Sequence, residues 1–290
     1  MSCSHPLVAI RTGIPNPQSI KILRNPDKAV NLEERYGREN VLFLPCGHCP
    51  SCELKYRMNW SIRCEMESLM YDQNCFITLT YDDKHLIPKP KREEVRKFLR
   101  ALWNRGFKGT YFACGERGSK TGRSHYHVCL FGFMPDDLKF YGISKSGESI
   151  FTSKYLDDLW KKGSVKVGLF EKGCAQYVAG YTSKKLDQDN FLMMSKGLGF
   201  DYMNKNVEKL FHYQNYVGLN GKVNPLPRYF ERICELNGYD FIRVREERKE
   251  QYFKEIDSSL IAHNLHHHSQ LFGVDAANMK DKLHRLKRGL

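Results

Sequence analysis

Apolar and polar residues alternate along several stretches of the chain, and this pattern predicts β-strands. Residues 74–81 and 110–116 are rich in β-branched and aromatic side chains, and residues 124–132 begin polar and become apolar on both faces. A run that is apolar on both faces is typical of a central strand covered on each side. We expect these three strands, with a fourth at residues 164–169, to belong to one sheet.

Apolar residues at helical spacing separate the predicted strands. The spacing predicts helices over residues 54–69, 91–104, 155–161 and 174–185. Residues 141–150 are rich in Gly and Ser and are expected to form a loop. Strands that alternate with helices, without long apolar parallel runs, predict an α+β fold on a mainly antiparallel sheet flanked by helices.

Three segments of the chain differ in character and define the expected domain organisation. Residues 1–70 are rich in cysteine and end in the first helix, residues 71–190 hold the strand pattern, and residues 191–290 are basic and mostly helical in pattern. Aromatic residues between 202 and 230 are mixed with lysines. That mixture suits stacking on unpaired bases and equally suits an ordinary core, which we favour.

The balance of charge changes the picture from a generic fold to a partner. The chain has a formal net charge of +13 at pH 7, which favours a polyanionic partner such as nucleic acid. Its hydrophobic content of 41% allows a proper core. Neither a signal-peptide pattern nor an apolar run long enough to cross a membrane is visible. We therefore expect a cytoplasmic protein that is neither secreted nor membrane-spanning.

Ten cysteines need an explanation other than disulfides, because cytoplasmic thiols are kept reduced. Three of them follow one another at intervals of three: Cys46, Cys49 and Cys52. Such spacing lets the chain wrap around one tetrahedral ion, and thiolates prefer zinc to magnesium, so a structural Zn²⁺ is predicted. Cys3 is the first choice for the fourth ligand, followed by His48 and Cys64. An iron–sulfur centre or free thiols in a loop are the alternatives.

Two histidines open the strand predicted at residues 124–132. Side chains of a strand alternate between faces, so His125 and His127 project from the same side. Residues 117–123 are rich in turn formers and predict a hairpin loop that brings Glu116 beside the histidines. Two imidazoles and a carboxylate suit a divalent ion with open coordination positions, such as Mg²⁺ or Mn²⁺. The alternative is a pair of half-buried histidines without a ligand.

Two tyrosines lie four residues apart in the helix predicted at residues 174–185. On such a helix Tyr177 and Tyr181 share one face, and Lys184 or Lys185 follows on or near that face. A tyrosine hydroxyl can attack phosphorus and hold the resulting phosphoester, and a lysine supplies cationic stabilisation. A helix that packs two aromatic side chains into a core is the alternative.

Taken in order along the chain, these motifs resemble those of a known superfamily. They are Phe76-Ile-Thr-Leu-Thr-Tyr81, Gly115-Glu116, His125-Tyr-His127, and Tyr177 and Tyr181 followed by Lys184 and Lys185. The set is similar to the three motifs of HUH endonucleases. Its doubled tyrosine is most similar to the replication initiators of small single-stranded DNA phages of the gokushovirus type, which include phages of Chlamydia.

The resemblance implies an RRM-like palm that serves as the catalytic core and an activity that starts rolling-circle replication. The enzyme would nick origin DNA through a tyrosine, leave a 5′-phosphotyrosine and a free 3′ hydroxyl, and later reclose the circle. The implied site residues are Glu116, His125 and His127 as metal ligands, Tyr177 and Tyr181 as nucleophiles, and Lys184 and Lys185 as phosphate contacts. The implied partners are single-stranded origin DNA, a host DNA polymerase and a host helicase, since the chain has no phosphate-binding loop of the NTPase type.

Three other functions stay open from the residues alone. An HUH relaxase or transposase would use the same chemistry, although relaxases usually bring a third histidine to the metal, where this chain offers Glu116. A zinc-dependent nucleic-acid-binding protein would use the cysteines without catalysis. A metal-dependent nuclease would cut through water. The paired tyrosines followed by lysines argue against the last two.

Overall fold

The computed structural model describes residues 3, 6–13, 19–23, 35–37, 40–118, 121–144, 147–180, 189–241, 243–244, 246–248, 250–251 and 254. The chain divides into two compact units, one made of Met1–Lys55 with Ile242–Leu290 and the other of Tyr56–Phe241. The domain boundaries expected at residues 70 and 190 stay a prediction. The basic end of the chain, residues 255–290, lies outside the described residues.

The first unit contains a small antiparallel sheet. Its strands are β1 (Leu7–Arg11), β2 (Ile20–Ile22) and β3 (Val41–Leu44). β1 is central, pairs with both neighbours and buries the side chains of Val8 and Ile10. Helix α1 (Pro50–Ser68) begins in this unit and ends in the second.

The second unit is built on a seven-stranded sheet. Its strands are β4 (Asn74–Thr80), β5 (Thr110–Arg117), β6 (Ser124–Phe131), β7 (Lys139–Ile143), β8 (Ser149–Thr152), β9 (Val165–Leu169) and β10 (Phe191–Met194). Across the sheet they run in the order β10-β5-β6-β4-β9-β8-β7, and every neighbouring pair is antiparallel. The predicted α+β class with a large antiparallel sheet is confirmed.

Helices flank this sheet and follow it. They are α2 (Arg92–Trp103), α3 (Lys154–Trp160), α4 (Lys172–Gly180), α5 (Phe200–Lys205), α6 (Val207–Tyr213) and α7 (Tyr229–Leu236), with the hairpin β11 (Asn215–Val217) and β12 (Val223–Pro225) between α6 and α7. The first three predicted helices are confirmed to within a few residues. The fourth is confirmed as α4, and residues 181–188 lie outside the described chain. No helix in the described part is both long and apolar enough to cross a bilayer.

The two faces of the large sheet carry separate hydrophobic cores. On one face, α2 and α3 pack on side chains that include Ile77 of β4 and Tyr126 of β6. On the other face, α4 and part of α1 pack on side chains that include Phe112 of β5 and Cys129 of β6. Each large side chain buried in this way stabilises the fold by roughly 1.5–3 kcal/mol. A one-residue slip of β6 would exchange the two faces, so the cores fix which side chains point to each side.

The loop predicted over residues 141–150 is wrong. β7 and β8 pair there as a hairpin at the edge of the sheet, with a bulge between Phe140 and Gly142. The Gly and Ser residues form only the turn, where the Ser144 N–H donates to the Glu148 carbonyl at 2.7 Å. Both strands are largely exposed, so backbone pairing with β9 and not side-chain burial makes them strands.

Candidate metal centre

The β5–β6 hairpin brings three potential metal ligands together at one end of the sheet. Glu116 pairs directly with His125, and His127 follows two residues later on the same face. The ligand atoms of the three side chains all lie within 4.8 Å of one another. The strand register therefore produces the group that the alternation of β6 and the predicted hairpin loop had indicated.

Hydrogen bonds define the orientation of His125. Its Nε2 lies 2.7 Å from Glu116 Oε1, and its Nδ1 lies 3.2 Å from the carbonyl oxygen of Arg123. A carbonyl oxygen can only accept, so Nδ1 donates a proton to it and Nε2 presents its lone pair to the carboxylate. Two electron-rich atoms at this separation need a proton or a metal cation between them. The arrangement fits a cation-binding site on its donor chemistry alone.

The electrostatics of the group agree with that interpretation. Burial opposes ionisation of Glu116, but hydrogen bonds from His125 and His127 outweigh burial and lower the pKa of Glu116 to about 2. Burial also opposes the charged form of His125, yet its hydrogen bond with Glu116 raises the pKa of His125. Burial lowers the pKa of His127. Without a metal, a proton on His125 balances the Glu116 carboxylate, and a divalent cation would replace that proton.

His127 is held from several sides by residues that the sequence analysis did not single out. Its Nε2 lies 3.2 Å from Glu116 Oε1, and its Nδ1 lies 3.0 Å from the hydroxyl oxygen of Thr78. The ring of Phe76 stacks on the imidazole at 5.6 Å between centroids. Thr78 pairs with His127 across β4 and β6, and its position in a predicted strand was the only signal available. Such partners fix the ring orientation that a metal requires.

Tyr177 lies beside the ligand group. Its ring centroid is 5.0 Å from that of His127, with the planes at 81°, and 6.4 Å from that of Phe76. Helix α4 reaches this place because Val178 and Ala179 pack into the core on the same face of the sheet. Tyr177 itself is 48% exposed, which leaves it open to a ligand from solvent.

The other three residues expected at this site are Tyr181, Lys184 and Lys185, and all lie outside the described residues. Their positions follow directly on Gly180, the last residue of α4. Their placement relative to the metal ligands stays a prediction.

Helix α1 anchors both ends of α4. At the start of α4, the Ser61 hydroxyl donates to the Lys172 carbonyl at 3.3 Å, and Glu65 Oε2 forms an ion pair with Lys172 Nζ at 2.7 Å. At its end, Arg57 Nη2 donates to the Gly180 carbonyl at 3.3 Å. A guanidinium suits the carbonyl end of a helix, where the helix dipole is negative. These long-range contacts, which no sequence pattern indicated, hold the tyrosine helix over the sheet.

Four cysteines converge within the first unit. They are Cys3, Cys46, Cys49 and Cys52, and their sulfur atoms all lie within 4.8 Å of one another. The Cys46 N–H donates to Cys3 Sγ at 3.3 Å, and the Cys49 N–H donates to Cys46 Sγ at 3.2 Å. Cys3, the first choice for a fourth ligand, belongs to the group, whereas His48 and Cys64 do not.

The cysteine group has the chemistry of a thiophilic metal site. Burial raises the pKa of Cys52 to about 12, and the neighbouring thiols Cys49 and Cys3 raise it further, against a backbone hydrogen bond from Gly47. Four sulfur atoms this close cannot all be thiolates unless a cation balances their charge. Backbone N–H donors to sulfur favour the thiolate, and four sulfur ligands suit Zn²⁺ in tetrahedral geometry.

Comparison with known proteins places this site in a described family region. Residues 74–186 match the family model of the replication-associated protein ORF2. That range contains the three candidate metal ligands of β5 and β6, both tyrosines and both lysines. No solved structure matches the chain.

Curated relatives extend the similarity beyond that range. The chain is 36% identical over 209 residues to the replication-associated protein VP4 of Bdellovibrio phage phiMH2K, covering 64% of this chain and 66% of that protein. It is 32% identical over 237 residues to the replication-associated protein ORF2 of Spiroplasma virus 4, covering 73% and 74%. It is 30% identical over 212 residues to the replication-associated protein ORF4 of Chlamydia phage 1, covering 66% and 53%.

Proposed function

The chain belongs to the family of phage replication-associated proteins, and we propose that it initiates rolling-circle replication by nicking one strand of origin DNA through a tyrosine. The single observation that carries the proposal is the contact of Tyr177 with His127, one of three grouped candidate metal ligands. We assign the seven-stranded sheet to the HUH endonuclease type, with an RRM-like palm. The resemblance of the motifs supports this assignment.

The reaction needs a nucleophile, a bound phosphate and a charge to offset. Glu116, His125 and His127 would hold Mg²⁺ or Mn²⁺, which when bound offsets negative charge on the phosphate oxygens. Tyr177 Oη attacks the scissile phosphorus, so an Oη–P bond forms while the P–O3′ bond breaks. The phenol proton passes to solvent, and the 3′ oxygen takes up a proton and leaves as a hydroxyl. That hydroxyl primes a host polymerase, while a host helicase opens the duplex.

Tyr181 takes the second cleavage in this proposal. After one round of synthesis it attacks the regenerated origin and becomes linked to the new 5′ end. The released 3′ hydroxyl attacks the first phosphotyrosine, which forms a P–O3′ bond, frees Tyr177 and closes the circle. Lys184 and Lys185 contact the phosphate during these transfers. Two nucleophiles are needed because one strand stays covalently held while the next cut is made.

The test is formation of a covalent adduct. Incubation with a single-stranded origin oligonucleotide and Mn²⁺ should give a protein–DNA band on a denaturing gel. The double variant Tyr177→Phe with Tyr181→Phe should give none, whereas Tyr213→Phe, at an exposed tyrosine of α6, should give the wild-type yield. An undiminished adduct in the double variant would contradict the mechanism. Cut DNA without an adduct in the wild type would instead identify a nuclease that works through water.

We also propose that the four grouped cysteines bind a structural Zn²⁺, on the strength of their convergence and their N–H donors. Elemental analysis of purified protein should find about one zinc ion per chain. Cys49→Ser should lose it, while Cys174→Ser and His125→Ala should keep it. Iron with visible absorbance would identify an iron–sulfur centre instead, and full retention of zinc in Cys49→Ser would refute the assignment.

A further inference from the structure

A row of residues crosses the ligand-bearing face of the large sheet, from the metal centre to the edge strand. Strand by strand its members are His127 of β6, Thr78 of β4, Lys166 of β9, Thr152 of β8 and Lys139 of β7. Residues paired directly across antiparallel strands project from the same face. Neighbouring strands are about 4.8 Å apart, so the row extends about 19 Å from β6 to β7.

Tyr141 stands at the outer end of this row. Lys166 Nζ lies 3.1 Å from the centroid of its ring, which places Tyr141 on the same face as Lys166. The bulge between Phe140 and Gly142 presents Tyr141 there, and its side chain is 63% exposed. Phe140, the preceding residue, instead contacts Phe151. Phe151 packs against the core on the opposite face of the sheet.

Cover of this face decreases toward the edge. Helix α4 packs mainly on β5 and β6, whereas Lys139 is exposed and Lys166 is only half-buried. We call Lys139, Tyr141 and Lys166 the edge surface. It combines an open aromatic ring with two ammonium groups and is continuous with the candidate cleavage site through the residues paired between them.

We propose that the edge surface binds the single-stranded DNA that extends from the cleavage site, an inference that rests on the proposed function. Lysine ammonium groups bind phosphates, and an aromatic ring stacks on a base of any sequence. Lys166 covers one side of the Tyr141 ring, which leaves the other side for a base. A chain with a net charge of +13 favours a polyanion here over an apolar protein partner.

Fluorescence anisotropy with a labelled single-stranded oligonucleotide of mixed sequence, in EDTA to prevent cleavage, tests the proposal. Tyr141→Ala should weaken binding about five- to hundredfold, the range for one base stacked on an aromatic ring. Tyr141→Phe should bind like the wild type. Lys166→Ala should lower the slope of log K against log salt concentration by about 0.7, the effect of one phosphate contact on single-stranded DNA. Phe140→Ala is the matched control and should leave binding unchanged.

Equal affinity of Tyr141→Ala and the wild type would overturn the proposal and leave the surface to a protein partner. An equal loss in Phe140→Ala would also overturn it, because the effect would then come from the hairpin as a whole. The adduct assay separates this inference from the proposed function. Binding that depends on Tyr141 in a protein that forms no adduct would remove the nicking mechanism and leave the DNA surface standing. A normal adduct with binding independent of Tyr141 would do the reverse.

Discussion

The ring of Tyr177 stands edge-on against the imidazole of His127, with 5.0 Å between centroids and 81° between planes. The two residues belong to different elements, α4 and β6, and only the packing of α4 on the sheet brings them together. In the proposed reaction this contact sets the nucleophile next to the metal ligands. The predictions below test the ligand group, its protonation, the anchoring of α4 and the separation of the two sheet faces.

Replacing Glu116 by Gln should weaken Mn²⁺ binding at least about tenfold, or about 1.4 kcal/mol. The change removes the only negative charge of the ligand group and keeps its size. Isothermal titration of the metal-free protein measures the affinity. Glu93→Gln, at an exposed carboxylate paired with Arg96 at 3.2 Å, is the control and should bind normally. Equal affinities in both variants would show that Glu116 is not a ligand.

The stability of the metal-free protein should depend on the proton that His125 holds. Because the pKa of His125 is raised in the folded state, its contribution is complete below about pH 6.5 and is lost as pH rises through the folded pKa. The lowered pKa of His127 acts in the opposite sense, so stability from that residue increases with pH. Comparison with a His125 variant is therefore needed to isolate the first effect.

Thermal unfolding in EDTA from about pH 5 to about pH 8 provides that comparison. The melting temperature of the wild type should exceed that of His125→Gln at the acidic end, and the difference should shrink as pH rises. A difference that stays constant over the range would mean that His125 does not share a proton with Glu116. Added Mn²⁺ should restore stability to the wild type at the alkaline end.

Replacing Glu65 by Gln should destabilise the protein by about 3–5 kcal/mol, because it leaves the Lys172 ammonium mostly buried without its carboxylate. Urea denaturation measures the loss. Asp158→Asn breaks an exposed ion pair with Lys154 and should leave stability unchanged. Since Lys172 begins the tyrosine helix, adduct yield should also fall in folded Glu65→Gln while DNA affinity is kept. Unaltered stability and yield would refute the anchoring role of α1.

Tyr126→Phe should cost about 1–3 kcal/mol of stability without changing Mn²⁺ affinity. The Tyr126 hydroxyl lies 3.0 Å from that of Tyr81 and accepts the Lys91 N–H at 3.0 Å, so its loss leaves buried polar groups without a partner. Its side chain points into the core opposite the histidines. Denaturation and metal titration on the same samples check both parts. A fall in Mn²⁺ affinity like that of Glu116→Gln would contradict the separation of the faces.

The parts of the site that depend on local periodicity could be predicted from the sequence. Strand alternation put His125 and His127 on one face, and the turn formers between two strands put Glu116 beside them. The hairpin of β7 and β8 was missed because exposed edge strands carry no alternating apolar pattern. The sheet of β1, β2 and β3 was not identified either, since its strands have only three to five residues.

Features that join distant positions were beyond any spacing argument. Cys3 was preferred over two other candidates for the cysteine group, but only the folded chain brings its sulfur to Cys49, at 3.7 Å. The contacts of Arg57 and Glu65 with α4 are of the same kind. They depend on how helices pack against each other, which hydrophobic periodicity does not encode.

The dual use of β6 has a consequence for how this protein tolerates mutation. The same eight residues form an inner strand of the fold and carry both histidines, with Tyr126 between them facing the other way. A shift of one residue in pairing would turn both imidazoles inward and bring the phenol out. Substitutions that loosen this strand should therefore abolish metal capture before the protein unfolds, whereas the outlying hairpin is free to diverge between relatives.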